Sequence, residues 1–207
     1  MIQGSLQSFL DELAGSAPTP GGGSAAAIMG AMGAALVSMV CNVTLGKKGH
    51  EAVAPDLSAV RDESERLRTR LTAMVAEDIA AFDGLMAAYR LPKASEEEKS
   101  RRAETIQFNL RAATETPLAC ARACAEVVAL SRRAGEKGYA GVISDAGVGV
   151  LAANSALRSA ALNVYINAPA LKDRAYALAA TTEIEKLLDQ CSRESESVFA
   201  LVRGRLG

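Results

Sequence analysis

An aspartate on the apolar stripe of a predicted helix is the residue best suited to move a proton. Asp78 lies four residues after Met74 and four before Phe82, so the three side chains share one helical face. A carboxylate on such a face must have a partner or a raised pKa, and a raised pKa suits general acid–base catalysis. A structural Asp78, bonded to an arginine or to the next helix, is the equally weighted alternative.

A second aspartate, Asp145, follows Ser144 at the expected start of another helix. Either residue would cap that helix, and the helix dipole would keep the Asp145 carboxylate ionised. Asn154 and Asn163 follow within the same small, apolar run. A hydrogen bond between helices is the favoured interpretation for each asparagine, with a ligand contact as the alternative.

Three lysines are candidates for binding an anionic group or donating a proton. They are Lys47 and Lys48, in a basic turn, and Lys93, after Pro92. The sequence does not choose between them. The lone histidine, His50, lies in the same basic turn, where a solvated side chain is the favoured interpretation.

The segment that precedes the longest uncharged run is rich in glycine and proline. Residues 18–24 read PTPGGGS, and the run from residue 17 to residue 45 carries no charge. Prolines separate this segment from the helix before it, and free N–H groups at the start of the next helix suit an anion or a polar ligand edge. A tight turn is the equal alternative. The candidate ligand contacts are Pro20, Gly21, Gly22, Gly23 and Ser24.

Helices must position all of these groups, because no strand-like alternation of useful length occurs. Apolar spacing and caps predict helices over residues 5–14, from the glycine segment to about residue 46, and over 57–91, 95–134, 144–163 and 171–203. Ser95 with Glu98 is expected to form a capping box at the start of the fourth of these helices. Pro117 predicts a kink or two helices in series. The fold class is all-α: a mostly antiparallel, up-and-down bundle of five or six helices, two of them rich in small residues and expected to be close neighbours.

Composition limits the class of protein. A chain of 207 residues fits a single domain spanning residues 1–207, and a net charge of −1 is not typical of nucleic-acid-binding proteins. The uncharged run is too rich in Ala and Gly for a membrane span, and the acidic N-terminus is unlike a secretory signal. We therefore expect a cytoplasmic protein with four buried, reduced cysteines. One histidine and scattered cysteines argue against a metal site.

Three stretches together resemble the cyclodeaminase/cyclohydrolase family of folate enzymes. They are PTPGGGSAAA at 18–27, AFDGLMAAYRLPK at 81–93 and SDAGVGVLAANSALRSAALNVYIN at 144–167. The resemblance implies a helical homodimer that binds a tetrahydrofolate derivative in a cleft, without metal or further cofactor. The motif residues that carry over are Pro20 to Ser24, Asp78, Phe82, Lys93, Asp145, Asn154 and Asn163, with Lys48 added on chemical grounds.

The resemblance implies hydrolysis of 5,10-methenyltetrahydrofolate to 10-formyltetrahydrofolate. Asp78 would serve as the base, Asp145 would hold the pterin or orient water, and Lys93 would bind the glutamate tail or donate a proton. Ring closure of 5-formiminotetrahydrofolate with loss of ammonia is the first alternative, which is less favoured because the chain has no room for a transferase domain. A non-catalytic helical scaffold is the second.

Overall fold

The structure is a computed structural model that describes residues 5–206. It confirms the all-α fold class, since helices account for nearly all of this range and no strand occurs within it. The six helices are α1 (Leu6–Leu13), α2 (Gly22–Leu45), α3 (Ala54–Arg90), α4 (Glu96–Lys137), α5 (Ile143–Asn167) and α6 (Arg174–Leu206). Single 3₁₀ turns at Glu51–Val53, Ala140–Val142 and Ala168–Ala170 lead into or out of the longer helices.

Contacts between helix ends establish the up-and-down arrangement. Asp56, at the start of α3, contacts Lys137, at the end of α4, with 2.9 Å between the carboxylate and the ammonium. The Tyr139 N–H donates to Thr44 Oγ1 at 2.9 Å and joins the start of α5 to the end of α2. α2 therefore runs antiparallel to both α3 and α5, and α3 runs antiparallel to α4.

Two small-residue helices, α2 and α5, pack against each other at the centre of the bundle. A Cβ added to Gly33 would lie 2.8 Å from the carbonyl oxygen of Gly149 and 3.2 Å from the amide nitrogen of Ala153. Backbone atoms of the two helices are thus almost in contact, which any side chain at Gly33 would prevent. This confirms the prediction that small residues make the two helices close neighbours.

Two predicted boundaries need correction. α3 begins earlier than predicted, at Ala54, because Pro55 occupies the first turn, where its missing N–H costs nothing. α5 begins at Ile143, so Ser144 and Asp145 lie inside its first turn and neither side chain caps it. The predicted capping box of Ser95 and Glu98 is confirmed at the start of α4.

Of the two alternatives predicted for Pro117, a kink or two helices in series, the second is wrong, because α4 continues through this residue. A proline has no N–H to donate to the carbonyl four residues earlier, which here is Ala113. The side-chain amide of Asn167, at the end of α5, donates to that carbonyl at 2.8 Å instead. The hydrogen bond that Pro117 removes from α4 is therefore replaced by a contact with α5.

Two stretches, α2 and Ala140–Ala170, are long and apolar enough to cross a membrane by length and composition. In the structure α2 packs against α3, α4 and α5, and 56% of its apolar stretch is buried among them. All four cysteines are buried and unpaired, as predicted. Burial raises the pKa of Cys41 to about 11, so this thiol stays protonated at neutral pH.

Candidate functional site

A cavity of about 360 Å³ lies near the start of α2, where α3, α4 and α5 converge. Its walls are mostly apolar, and its polar groups are the side chains of Asp78, Asn163 and Asn167. The other lining residues are Ala81, Phe82, Leu85, Met86, Tyr89, Leu110, Ala113, Ile166 and Ala170. An apolar cavity with a few convergent polar groups is typical of a small-molecule site.

Asp78 joins this cavity to the glycine segment. Its Oδ2 accepts a hydrogen bond of 2.8 Å from the hydroxyl of Ser24, a residue in the first turn of α2. Burial raises the pKa of Asp78, and the hydroxyl and backbone N–H of Ser24 offset part of that rise. The carboxylate therefore has both features that the sequence left as alternatives: a bond to the next helix and a perturbed pKa in a cavity.

The absence of a side chain at Gly23 leaves room for the carboxylate. A Cβ at this position would lie 2.1 Å from Oδ1 of Asp78 and 2.7 Å from its Cγ. The positive end of the α2 dipole meets the carboxylate here, in the place where a capping side chain would otherwise stand.

None of residues 20–24 of the glycine segment lines the cavity. Pro20 and Ser24 are buried, Gly21 and Gly23 are half-buried, and Gly22 is exposed with no atom near the position of a Cβ. Within this chain the segment reaches the cavity through Asp78. The contact of these residues with a ligand stays a prediction, and what the structure shows for Gly23 and Ser24 is their proximity to the Asp78 carboxylate.

Two of the candidate site residues, Phe82 and Asn163, line the cavity together with Asp78. Phe82 lies one helical turn after Asp78 on α3. The Asn163 amide donates to the carbonyl of Ser159 in its own helix at 3.2 Å. It therefore does not form the predicted hydrogen bond between helices.

Asp145 and Asn154 lie away from the cavity within the chain. Eighteen residues separate Asp145 from Asn163 along α5, which is about 27 Å at 1.5 Å per residue. Asp145 is thus near the end of α2 that is distant from Ser24. Asn154 is midway, and its Oδ1 is buried without a hydrogen-bond partner among residues 5–206. Spacing along α5 shows how far apart these groups lie, but it could not show which of them adjoins Asp78 on α3.

The two lysines of the predicted site also lie at different ends. Lys93 is exposed in the turn after α3, and Tyr89, in the last turn of α3, lines the cavity. Lys48 is exposed beyond the C-terminal end of α2, beside His50 in a shallow polar depression. Lys48 therefore stands at the Asp145 end of the bundle.

Comparisons of sequence and structure relate this chain to known proteins. The sequence profile described as formiminotransferase-cyclodeaminase matches residues 5–186. The chain belongs to this family. A family member from Methylorubrum extorquens, named methenyltetrahydrofolate cyclohydrolase, is 55% identical over 97% of each chain.

Longer members of the formiminotransferase-cyclodeaminase family share the same region. The rat formimidoyltransferase-cyclodeaminase is 30% identical over 100% of this chain, which spans 37% of the rat protein. The crystal structure of formiminotetrahydrofolate cyclodeaminase from Thermotoga maritima superposes with a TM-score of 0.80 at 27% identity, covering 99% of this chain and 96% of that one.

Sequence reasoning missed the partner of Asp78 and much of the cavity wall. Asn167 follows Asn163 by one helical turn, so the spacing of the two asparagines was the available signal. No comparable signal links Ser24 to Asp78, because 54 positions separate them. In the part of the chain that the structure describes, no three His, Cys, Asp or Glu side chains gather as metal ligands would.

Proposed function

We propose that this chain hydrolyses 5,10-methenyltetrahydrofolate to 10-formyltetrahydrofolate. The observation that carries the proposal is a half-buried carboxylate with a raised pKa in an apolar cavity, in a chain 55% identical to a cyclohydrolase of that name. The substrate's N5–C–N10 bridge is a cation, and a carboxylate in an apolar cavity attracts it.

Asp78 takes a proton from water as the water oxygen adds to the bridge carbon. The addition gives a tetrahedral species, and Asp78 returns the proton to N5 as the N5–C bond breaks. The hydroxyl proton is lost as the formyl C=O forms, so each turnover releases one proton. A carboxylate with a raised pKa can act in both directions near neutral pH.

The cavity walls suit a flat, partly aromatic ligand. Phe82 and Tyr89 provide ring faces on one helix, and the amide of Asn163 can pair with the polar edge of a pterin. The exposed ammonium of Lys93, after the helix that carries Tyr89, can pair with carboxylates of the glutamate tail. No further cofactor is needed for this reaction.

The proposal includes a cytoplasmic homodimer. The outer faces of α2 and α5 carry exposed apolar side chains that no other helix covers: Met32, Val148, Leu151, Leu162 and Ile166. Five exposed apolar side chains on neighbouring helices fit a protein interface. The four unpaired thiols fit a reducing compartment.

Charges on α5 favour a second copy as the occupant of this surface. Asp145 and Arg158 lie thirteen residues apart, about 20 Å along the helix. Neither forms an ion pair within residues 5–206. A two-fold axis between them would bring the Asp145 end of each α5 towards Arg158 of the other copy and towards the other copy's Asp78 cavity. Asp145 and Lys48 would then approach the site across the dimer, while Asn154 would lie near the two-fold axis.

Light scattering tests the interface. L151E is expected to convert the dimer to monomers, while L6E, at an equally apolar but separate exposed position, leaves the mass unchanged. A dimer that survives L151E would contradict this surface.

A direct assay tests the reaction. Purified protein is mixed with 5,10-methenyltetrahydrofolate, and the loss of its near-ultraviolet absorbance is followed against the spontaneous rate. An unchanged rate would overturn the proposal.

The Thermotoga maritima structure favours a second candidate, the cyclodeaminase reaction, which release of ammonia from 5-formiminotetrahydrofolate would reveal. Failure to bind either folate in a titration would favour the scaffold.

A further inference from the structure

Ser24 contacts the catalytic candidate and not the cavity. From this geometry we infer that Ser24 is a positioning residue: its hydroxyl fixes one carboxylate oxygen of Asp78 and leaves the other as the proton acceptor. The inference rests on the proposed function and changes the role that the sequence predicted for Ser24, which was substrate binding.

The burial of Ser24 excludes direct contact with a ligand in this chain. Its exposed fraction is 0%, and its hydroxyl donates to Oδ2 of Asp78 at 2.8 Å. A hydroxyl has one proton to donate, so this bond uses it fully. Any effect of Ser24 on a ligand must therefore pass through Asp78.

Gly23 restricts the carboxylate from a second side. Because a Cβ here would lie 2.1 Å from Oδ1, the backbone of α2 lies directly against that oxygen. The hydroxyl of Ser24 and the bare Cα of Gly23 thus define both the position and the orientation of the Asp78 carboxylate. A misplaced catalytic group can lose about a hundredfold in rate.

Ser24 is also the main polar influence on Asp78. α2 carries no Asp, Glu, Lys or Arg, and the only such residues of α5 are Asp145 and Arg158. On α3, Glu77 pairs with Arg70.

The remaining nearby charges are engaged elsewhere or exposed. On α4, Arg111 pairs with Asp173 and Glu115 with Arg122. Asp83 is exposed on α3. Loss of the Ser24 hydroxyl would therefore remove the larger of the two hydrogen bonds that favour the ionised form of Asp78, leaving only the backbone N–H of Ser24 and no charged neighbour to compensate.

The experiment compares S24A with S131A, a control at another fully buried serine, whose hydroxyl bonds only to the Val127 carbonyl of its own helix. S24A is expected to lower kcat by about ten- to a hundredfold, with KM changed less than about threefold. The acid limb of the pH–rate profile should move to higher pH. S24C, which keeps a weak donor, should lie between wild type and S24A, and it replaces S24A if that variant does not fold.

Carbon NMR of the Asp78 carboxyl, in protein labelled at aspartate and assigned with D78N, provides a readout that does not need activity. The titration of Asp78 should move to higher pH in S24A. An unmoved titration, or a raised KM with unchanged kcat, would overturn the inference even in an active enzyme. An inactive wild type with a shifted Asp78 titration would overturn the proposed function and retain the role of Ser24.

Discussion

Ser24 Oγ lies 2.8 Å from Asp78 Oδ2, although 54 positions separate the two residues in sequence. This bond attaches the middle of α3 to the first turn of α2 and holds an ionisable group against an apolar cavity. It makes Asp78 both a structural contact and a candidate base, and substitution can separate the two roles.

D78N should reduce turnover by at least about a hundredfold, because an amide cannot accept the proton from water. The amide oxygen can still accept the Ser24 hydrogen bond, so the unfolding midpoint and the affinity for folate should change little. Stopped-flow absorbance and a binding titration measure these quantities.

D83N is the matched control, because Asp83 lies on the same helix but is exposed. It should keep full activity. A D78N enzyme with wild-type kcat would remove Asp78 from the mechanism.

The pH dependence of the wild-type enzyme follows from the environment of Asp78. The ionised carboxylate is the active form, and burial raises its pKa. Activity should therefore fall as the pH drops, with an acid limb above the ordinary aspartate value of about 3.9. A profile of kcat/KM against pH checks this, and a limb at or below that value would be inconsistent with a buried base.

G33A should destabilise the bundle by about 1–3 kcal/mol, because the added methyl would lie 2.8 Å from a backbone oxygen of α5, which cannot rotate away. Urea denaturation measures the free energy of unfolding. G204A provides the comparison, since no atom lies within 4 Å of its added methyl, and it should be neutral or slightly stabilising. Equal stabilities for the two variants would contradict close packing of α2 and α5.

D56N should lower the free energy of unfolding by about 0.5–1 kcal/mol at neutral pH, a small value because the ion pairs are partly exposed. Hydrogen bonds from Arg133 and Lys137 lower the pKa of Asp56, so its contribution is present above the ordinary aspartate pKa and is lost as the pH falls through the lowered value.

Denaturation of wild type and D56N should therefore converge at low pH. D62N, which removes an exposed carboxylate paired only with its neighbour Arg61, should differ little from wild type at any pH. If the difference in free energy of unfolding between wild type and D56N grew as the pH fell, the lowered pKa of Asp56 would be contradicted.

The sequence predicted the helices and the fold class well, because periodic apolar residues, the Ser95 cap and small-residue packing are local or pairwise signals. It also placed Asp78 and Phe82 on one face, which the cavity uses. It did not choose between a kink and two helices at Pro117, and it did not predict the partner of the Ala113 carbonyl, because that group comes from another helix. The distance between Asp145 and Asp78 depends on which ends of α3 and α5 lie side by side, and residue spacing within one helix does not determine this.

The bond between Asn167 and Ala113 has a practical consequence for engineering heat resistance. Propensity tables would choose P117A first, since proline is the worst interior residue of a helix by about 3 kcal/mol. The alanine N–H would compete for the Ala113 carbonyl oxygen that holds the Asn167 side chain at the wall of the candidate cavity. P117A would then stabilise α4 but leave the Asn167 side chain less firmly held in the cavity wall. The melting temperature would rise while turnover falls.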